Sequence, residues 1–258
     1  GTHSLELTYF KEAEWMPPRL ALSVSTSKTY PTDLHDFDSY PPSEDPVADI
    51  LVHTGNEVKL LRAFLDYQGD QNQRLTHTIG VSEPCGLNYV YDLARGNLVC
   101  VWRGDFVDAT PMWHNRGDGS FRPLGGTQYI MNAQPIFLAA ESSDPQLKST
   151  GYQLEEQNGR PIFTYSYGTH KIKDRLYPDE TNTFVTREIT VEKPTAGLFF
   201  KIAQGSDIIS LGDGQYVVDD KSFYIKMHLG EAEIRDGQTI KELVAPLNDQ
   251  SLVYSIIW

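Results

Sequence analysis

Basic side chains and long apolar runs are scarce in this sequence. Its 258 residues include 22 Lys and Arg against 35 Asp and Glu, a formal net charge of −13. We expect no nucleic-acid partner, because a phosphate backbone selects for a surplus of basic side chains. An anionic membrane surface is disfavoured for the same reason. No apolar run approaches the roughly 18 residues that span a bilayer, so we expect no membrane insertion either.

Cysteine is nearly absent too, since Cys85 and Cys100 are the only two. A hairpin turn at 94–97 would place Tyr91 roughly opposite Cys100. Cys85 would then lie about six residues further along its strand, on the order of 20 Å away at about 3.3 Å per residue. A disulfide cannot bridge that distance. We predict two unpaired, largely buried thiols, so the cysteine count indicates no cellular compartment.

Motifs for catalysis and for cofactors are missing as well. The chain has no Gly-x-Ser-x-Gly, no Walker-type phosphate loop and no Gly-x-Gly-x-x-Gly after a strand. It also lacks the Cys-x-x-Cys-His that attaches haem, and its seven His do not occur at metal-ligand spacing. We expect no cofactor and no metal. Catalysis would need groups that meet only in space, such as His170 with Asp174 or Glu188, or two carboxylates as in glycosidases.

Short strand-like segments fill most of the sequence instead. The predicted strands include 5–10, 20–26, 58–65, 75–81, 87–93, 97–103, 152–156, 161–167, 223–229 and 252–258. Asn158-Gly159 is a strong hairpin signal, and the alternation from Phe223 to Leu229 is typical of a half-buried strand. No long window keeps a helical apolar stripe. The pattern predicts one all-β domain over residues 1–258, a large antiparallel double-sheet sandwich of about 18 to 20 strands.

Residues 30–49 interrupt this pattern. They are rich in Pro and acidic side chains and contain no Lys or Arg. Such a segment buries little apolar surface, which favours an irregular excursion on the surface of the domain. The alternative is a calcium site formed by Asp33, Asp36 and Asp38, although their spacing lacks the Gly and the terminal Glu of an EF-hand loop.

The stretch 89–122 concentrates the groups that recognise ligands. Its candidate ligand-binding residues are Arg103, Asp105, Asp108, Trp113, His114 and Arg116. A sugar offers an apolar C–H face and a ring of hydroxyls, so a sugar site needs an aromatic platform with polar groups around it. Trp113 and His114 follow a Pro and precede Gly117-Asp118-Gly119, which predicts a loop, where such groups are usually displayed.

Structural roles compete with this interpretation. Trp102 alternates with Cys100 and Leu98 on one strand face, which predicts a core position. Arg103 with Asp105 or Asp108 would form an ion pair that braces a loop rather than a substrate clamp. As an alternative to ligand binding, the Trp113 indole, on a loop after a Pro, would plug the end of the sandwich.

Three segments at 75–126 resemble an uncharacterised family of exported bacterial domains: LTHTIGV, GLNYVYDLARGNLVCVWRGDFVDATPMWH, and RGD followed by PLGG. GYQLEEQNGRPIFTY at 151–165 also fits that family. Such domains occur in large exported proteins, often beside c-type cytochrome modules or sugar-dehydrogenase-like propellers. The resemblance implies a periplasmic or extracellular location and a setting of sugar or glycan metabolism. It also makes a neighbouring cytochrome or dehydrogenase-like domain a candidate partner.

The predicted architecture is also similar, more distantly, to the galactose mutarotase-like supersandwich, a likeness that does not define function. Our first hypothesis is an exported accessory domain that binds a carbohydrate, or a partner domain, without catalysis. The alternative is a sugar-active enzyme, an epimerase or a glycoside hydrolase or lyase, that uses a His–carboxylate pair in a sandwich groove. A third is a structural domain that docks on its neighbour through an apolar patch.

Overall fold

β-Branched and aromatic residues between turn signals form strands throughout the computed structural model. The structure describes residues 4–10, 20–26, 29–35, 48–67, 73–114, 118–131, 136–139, 147–194, 197–237, 240–248 and 251–258. In these ranges the chain is nearly all β, with a single five-residue α-helix. Among them, no helix has the length and apolar character to cross a membrane.

Twenty-two strands and one helix follow one another along the described part of the chain. They are β1 (Ser23–Thr26), β2 (Thr29–Asp33), β3 (Leu51–Val52), β4 (Lys59–Tyr67), β5 (Gln73–Ser82), β6 (Leu87–Asp92), β7 (Asn97–Arg103), β8 (Val107–Asp108), then helix α1 (Thr110–His114), β9 (Arg122–Pro123), β10 (Gln128–Tyr129), β11 (Phe137–Ala139), β12 (Leu147–Leu154), β13 (Pro161–Tyr167), β14 (His170–Pro178), β15 (Val185–Glu192), β16 (Leu198–Gly205), β17 (Ile208–Gly212), β18 (Gln215–Val218), β19 (Phe223–Leu229), β20 (Glu233–Asp236), β21 (Lys241–Pro246) and β22 (Ser251–Ile257).

In the described ranges these strands form four antiparallel sheets. A seven-stranded sheet has the order β1-β2-β10-β7-β6-β5-β4, and an eight-stranded sheet has the order β12-β13-β14-β15-β22-β19-β18-β17. A four-stranded sheet (β11-β16-β21-β20) and a three-stranded sheet (β3-β8-β9) complete the fold. The predicted all-β class and the packing of antiparallel sheets are therefore confirmed. The extent of a single domain over residues 1–258 stays a prediction.

The main core lies between the seven-stranded and eight-stranded sheets. Alternate residues of β13 point into it, with Phe163, Tyr165 and Tyr167 buried. On the facing sheet, Tyr91 stacks on Phe163 with ring centroids 3.8 Å apart. The four-stranded sheet adds Phe200 and its neighbours to the same core. This is the interdigitated packing expected of a large sandwich.

A second core covers the opposite face of the seven-stranded sheet. Trp102, Phe106 and Phe121 are fully buried there, and the three-stranded sheet forms the outer layer. The Trp102 indole N–H donates to the carbonyl of Asp105 at 2.9 Å. β6 and most of β7 are consequently buried on both faces, which explains their nearly continuous apolar sequence. Trp102 lies in the core, as predicted.

The hairpin of β6 and β7 differs from its predicted register by one residue. Cys100 lies opposite Val90 rather than Tyr91, because the register shifts beside Val90 and leaves Val99 as the extra residue of a β-bulge. Both thiols are unpaired, as predicted. Cys100 is buried, but Cys85 is exposed, contrary to prediction, because it lies in the turn between β5 and β6 rather than within a strand.

Several N-terminal predictions have a mixed outcome. Residues 4–10 have no regular structure, although 5–10 was predicted as a strand, and only Ser23–Thr26 of the segment 20–26 forms one. The start of the predicted irregular excursion contains β2, which pairs with β1. Asp36 and Asp38 of the calcium alternative lie outside the described residues. Within the described ranges, no group of three or more His, Cys, Asp or Glu side chains could hold a metal ion.

A charged pair lies inside the main core. Arg187 of β15 donates from Nε to Asp174 Oδ1 at 3.0 Å and from Nη2 to Asp174 Oδ2 at 2.6 Å. Nη2 also donates to the Gly96 carbonyl at 2.9 Å, and Tyr91 donates its hydroxyl to Asp174 at 2.6 Å. Burial alone would lower the pKa of Arg187, but the Asp174 carboxylate outweighs it and raises that pKa. The network ties the seven-stranded sheet to the eight-stranded one.

Candidate functional site

Five connections between strands lie together at one end of the sandwich. They are residues 53–58, 83–86, 104–106, 155–160 and 179–184. Gly104 donates its N–H to the Gly86 carbonyl at 3.0 Å, and Arg103 hydrogen-bonds to the carbonyl of Thr183. Connections of both large sheets therefore meet here, and loops at the end of a rigid sandwich are common positions for binding groups.

A pocket of about 470 Å³ opens between these connections. It is lined by Asn56, Glu57, Val58, Glu83, Pro84, Glu156, Gln157, Asn158, Gly159 and Arg160. Residues 56–58 and 83–84 belong to the side of the seven-stranded sheet, whereas 156–160 is the turn of the β12–β13 hairpin. The volume lies in the range typical of small-molecule sites. The lining is mostly polar, with Val58 and Pro84 as its apolar part.

An ion pair joins the two sides of this pocket. Arg160 donates from Nε and Nη2 to the two carboxylate oxygens of Glu83, at 2.7 and 2.9 Å. Its Nη1 lies 3.6 Å from Glu155 Oε2. Glu83 is only 1% exposed, and the two-point geometry fixes both side chains. Burial alone would lower the pKa of Arg160, but the bond to Glu83 outweighs it and raises that pKa.

The hairpin side of the pocket is held in place by its own turn. Asn158 donates from Nδ2 to Glu155 Oε2 at 2.6 Å and accepts the backbone N–H of Arg160 at 2.8 Å. Gly159 adopts φ 73°, a left-handed conformation that suits glycine in such a turn. Burial alone would raise the pKa of Glu155, but hydrogen bonds from Arg175 and Asn158 outweigh it and lower that pKa. Asn158 therefore serves the turn, which leaves the Asn56 and Gln157 amides for a ligand.

A His–carboxylate pair lies at the same end of the sandwich, outside the lining of the pocket. His53 donates from Nδ1 to Asp105, whose other oxygen accepts the backbone N–H groups of Thr54 at 2.6 Å and Phe106 at 2.9 Å. Burial alone would raise the pKa of Asp105, but these hydrogen bonds outweigh it and lower that pKa. The Thr54 hydroxyl lies 3.1 Å from that of Ser82, the residue before Glu83. Because Nδ1 faces Asp105, Nε2 is the free ring nitrogen of an exposed imidazole.

The structure distributes the other predicted site residues over separate places. Asp108 accepts the N–H of Thr110 at 2.8 Å at the start of α1. Arg103 lies over the ring of Trp258, with its guanidinium carbon 4.9 Å from the ring centroid, and forms no ion pair with Asp105 or Asp108 among the described contacts. Of the predicted residues, Asp105 contacts His53 at the same end of the sandwich as the pocket.

The indole of Trp113 is 71% exposed and therefore does not plug the sandwich. Neither Trp113 nor the exposed His114 lines the pocket, and Arg116 lies outside the described residues. The catalytic pair of His170 with Asp174 is not formed, since Asp174 is sealed in the core and His170 Nδ1 lies 3.1 Å from the Lys193 carbonyl. Glu188 lies beside Arg175 instead.

The pocket was not predictable from the sequence, because its lining comes from segments far apart in the chain. The Asn158-Gly159 hairpin signal marked one side of it, but nothing in the sequence connects that turn with Glu83, 77 residues earlier. No known protein-family model matches this chain, and no curated protein is significantly similar to it. The function of the chain is therefore inferred from the geometry of the pocket.

Proposed function

We propose that this domain binds a carbohydrate in the pocket between residues 56–58 and 156–160, without transforming it. The observation that carries the proposal is a pocket of about 470 Å³ lined by amides and carboxylates. Sugar hydroxyls both donate and accept hydrogen bonds, so they suit such a lining, and Val58 with Pro84 offers apolar contact to C–H groups. Export to the periplasm or the cell surface belongs to this proposal and is supported by the resemblance at residues 75–126.

The internal pairing of Glu83 with Arg160 favours binding over chemistry. Both groups are held by each other and by the surrounding turn, so they shape the pocket rather than exchange protons with a ligand. The amides of Asn56 and Gln157 are exposed at its surface and free to contact hydroxyls. Because Glu83 and Arg160 are already fixed by each other, these two side chains lose little conformational entropy when a ligand binds.

A glycan array followed by isothermal titration calorimetry tests the proposal. The wild type is compared with the double variant Asn56→Ala/Gln157→Ala and with Trp113→Ala. Loss of two hydrogen bonds of about 1 kcal/mol each should weaken binding roughly thirtyfold in the double variant. Trp113→Ala should bind like the wild type. A glycan that loses affinity only in Trp113→Ala would move the site to the surface of α1.

A sugar-active enzyme is the second candidate, and the His53–Asp105 pair is the observation that favours it. A carboxylate that fixes Nδ1 leaves Nε2 oriented as a general base. Conversion of freshly dissolved aldose anomers and cleavage of chromogenic glycosides should then be measured for the wild type, His53→Gln and Asp105→Asn. Turnover that disappears in both variants, but not in a His77→Gln control, would favour the enzyme. No turnover in the wild type would leave the binding function as the better description.

A further inference from the structure

The pocket carries a formal negative charge. Its lining contains three glutamates, Glu57, Glu83 and Glu156, against the single cation Arg160, a formal charge of −2. No lysine lines it. The chain as a whole carries −13, so the long-range field has the same sign as the pocket. Such a field raises the local concentration of cations and repels anions.

The one cation in the lining is already paired with carboxylates of the protein. Arg160 directs Nε and Nη2 to Glu83, and its Nη1 lies 3.6 Å from Glu155. An incoming carboxylate or sulfate would have to compete with these two carboxylates for the guanidinium. The structure therefore disfavours uronic acids and sulfated sugars in this pocket.

Two carboxylates are available instead, one on each side of the pocket. Glu57 belongs to the loop before β4, and Glu156 belongs to the β12–β13 turn. Both are exposed, and neither takes part in an ion pair with another described side chain. A group that enters between the two sides meets negative charge from both and amides at Asn56 and Gln157. An ammonium group on a polyhydroxylated ring matches this combination.

We propose that the pocket prefers sugars with a free amino group over N-acetylated, neutral or anionic sugars. This inference rests on the carbohydrate-binding function proposed above and adds the class of ligand. The ammonium group lies between Glu57 and Glu156, while the ring hydroxyls contact the amides. N-acetylation removes the charge, so the preference depends on the free amine.

Calorimetry at low salt and slightly acidic pH tests this preference with four probes. They are a fully deacetylated glucosamine tetramer, its N-acetylated counterpart, a galacturonate tetramer and spermidine. The deacetylated tetramer should bind about tenfold more tightly than the N-acetylated one. An exposed ion pair raises affinity by up to about fivefold, and the ammonium group would form two of them. The galacturonate tetramer should bind most weakly. Added salt should reduce the difference, because exposed charges are screened.

A pair of variants isolates the two carboxylates. Glu57→Gln/Glu156→Gln should remove the tenfold preference by weakening binding of the deacetylated tetramer. The matched control, Glu192→Gln/Glu231→Gln, removes the same charge at the opposite end of the sandwich, where β15 and β19 end, and should keep the preference.

The outcomes separate this inference from the proposed function. Equal or tighter binding of the N-acetylated or galacturonate tetramer overturns the amine preference and leaves carbohydrate binding intact. Spermidine that binds as tightly as the deacetylated tetramer shows recognition of charge alone, which also overturns the amino-sugar inference. A folded wild type that binds none of the tetramers, and no glycan on the array, overturns both.

Discussion

Replacing Arg187 with Met should destabilise the fold more than any surface substitution. Arg187 is 1% exposed and Asp174 is fully buried, so the carboxylate would stay in the core without its cation. The hydroxyls of Tyr91, 2.6 Å from Asp174, and of Tyr165, 3.5 Å from it, would be its remaining side-chain donors among the described residues. The hydrogen bonds from Arg187 to Gly96 and Tyr254 would be lost as well.

The magnitude follows from the burial of the pair. Removal of one partner from a buried ion pair typically lowers the free energy of unfolding by about 3–5 kcal/mol. For a chain of this size each kcal/mol moves the melting temperature by roughly 2–4 °C, so the variant should melt on the order of 10 °C below the wild type. Replacing both partners, as in Arg187→Met/Asp174→Leu, should restore at least half of the loss, because no charge is stranded.

Urea unfolding followed by circular dichroism and tryptophan fluorescence measures these differences. The matched control is Lys173→Met, on the solvent face of the strand that carries Asp174, where we expect a change of about 0.5 kcal/mol or less. A loss in Arg187→Met no larger than in the control would refute the reasoning. So would a double variant that is less stable than Arg187→Met, since the stranded charge would then not be the cause.

Two further predictions concern a turn and the thiols. Asp179 accepts hydrogen bonds from the Thr181 hydroxyl and from backbone N–H groups including those of Thr181 and Phe184, which outweigh burial and lower its pKa to about 2. Asp179→Ala should therefore lower the free energy of unfolding by about 1–2 kcal/mol at neutral pH. The difference from the wild type should shrink as pH falls from about 4 towards 2, since a carboxylate with a lowered pKa stabilises the fold only above that range. If the stabilities of the two proteins fell in parallel over this pH range, the prediction would be contradicted. Exposed Cys85 should react with a thiol reagent in the native protein, whereas Cys100, whose pKa is raised by burial, should react only in denaturant. Fast reaction of two thiols per molecule in the native protein would show that Cys100 is not buried.

Much of the fold was accessible from the sequence because it depends on local signals. The segments 97–103, 161–167 and 223–229 were predicted with the bounds that the structure has, and each is delimited by turn residues or alternation. The bulge at Val99 was not predictable, since no residue there differs from an ordinary strand residue. The second core was also not predicted, although the continuous apolar run at 98–102 in β7 was a signal of burial on both faces.

The candidate site was less predictable, because it depends on how two sheets pack. Asp105 was selected, but its partner His53 lies 52 residues earlier, and nothing local indicates their contact. Trp113 was predicted to lie on a loop, but it belongs to the short helix α1. Whether its indole meets a groove depends on the layer beneath the helix. An ion pair such as Glu83 with Arg160 cannot be predicted from the sequence, because it depends on how the two distant segments pack in the fold.

The shared use of the seven-stranded sheet has a consequence for unfolding. Its strands supply one wall of the main core with one face and one wall of the second core with the other. Loss of the outer three-stranded sheet would expose to water the faces of β6 and β7 that line the second core. The opposite faces of the same two strands line the main core. We therefore expect hydrogen exchange in β5, β6 and β7 to require global opening, and the two cores to melt in a single transition.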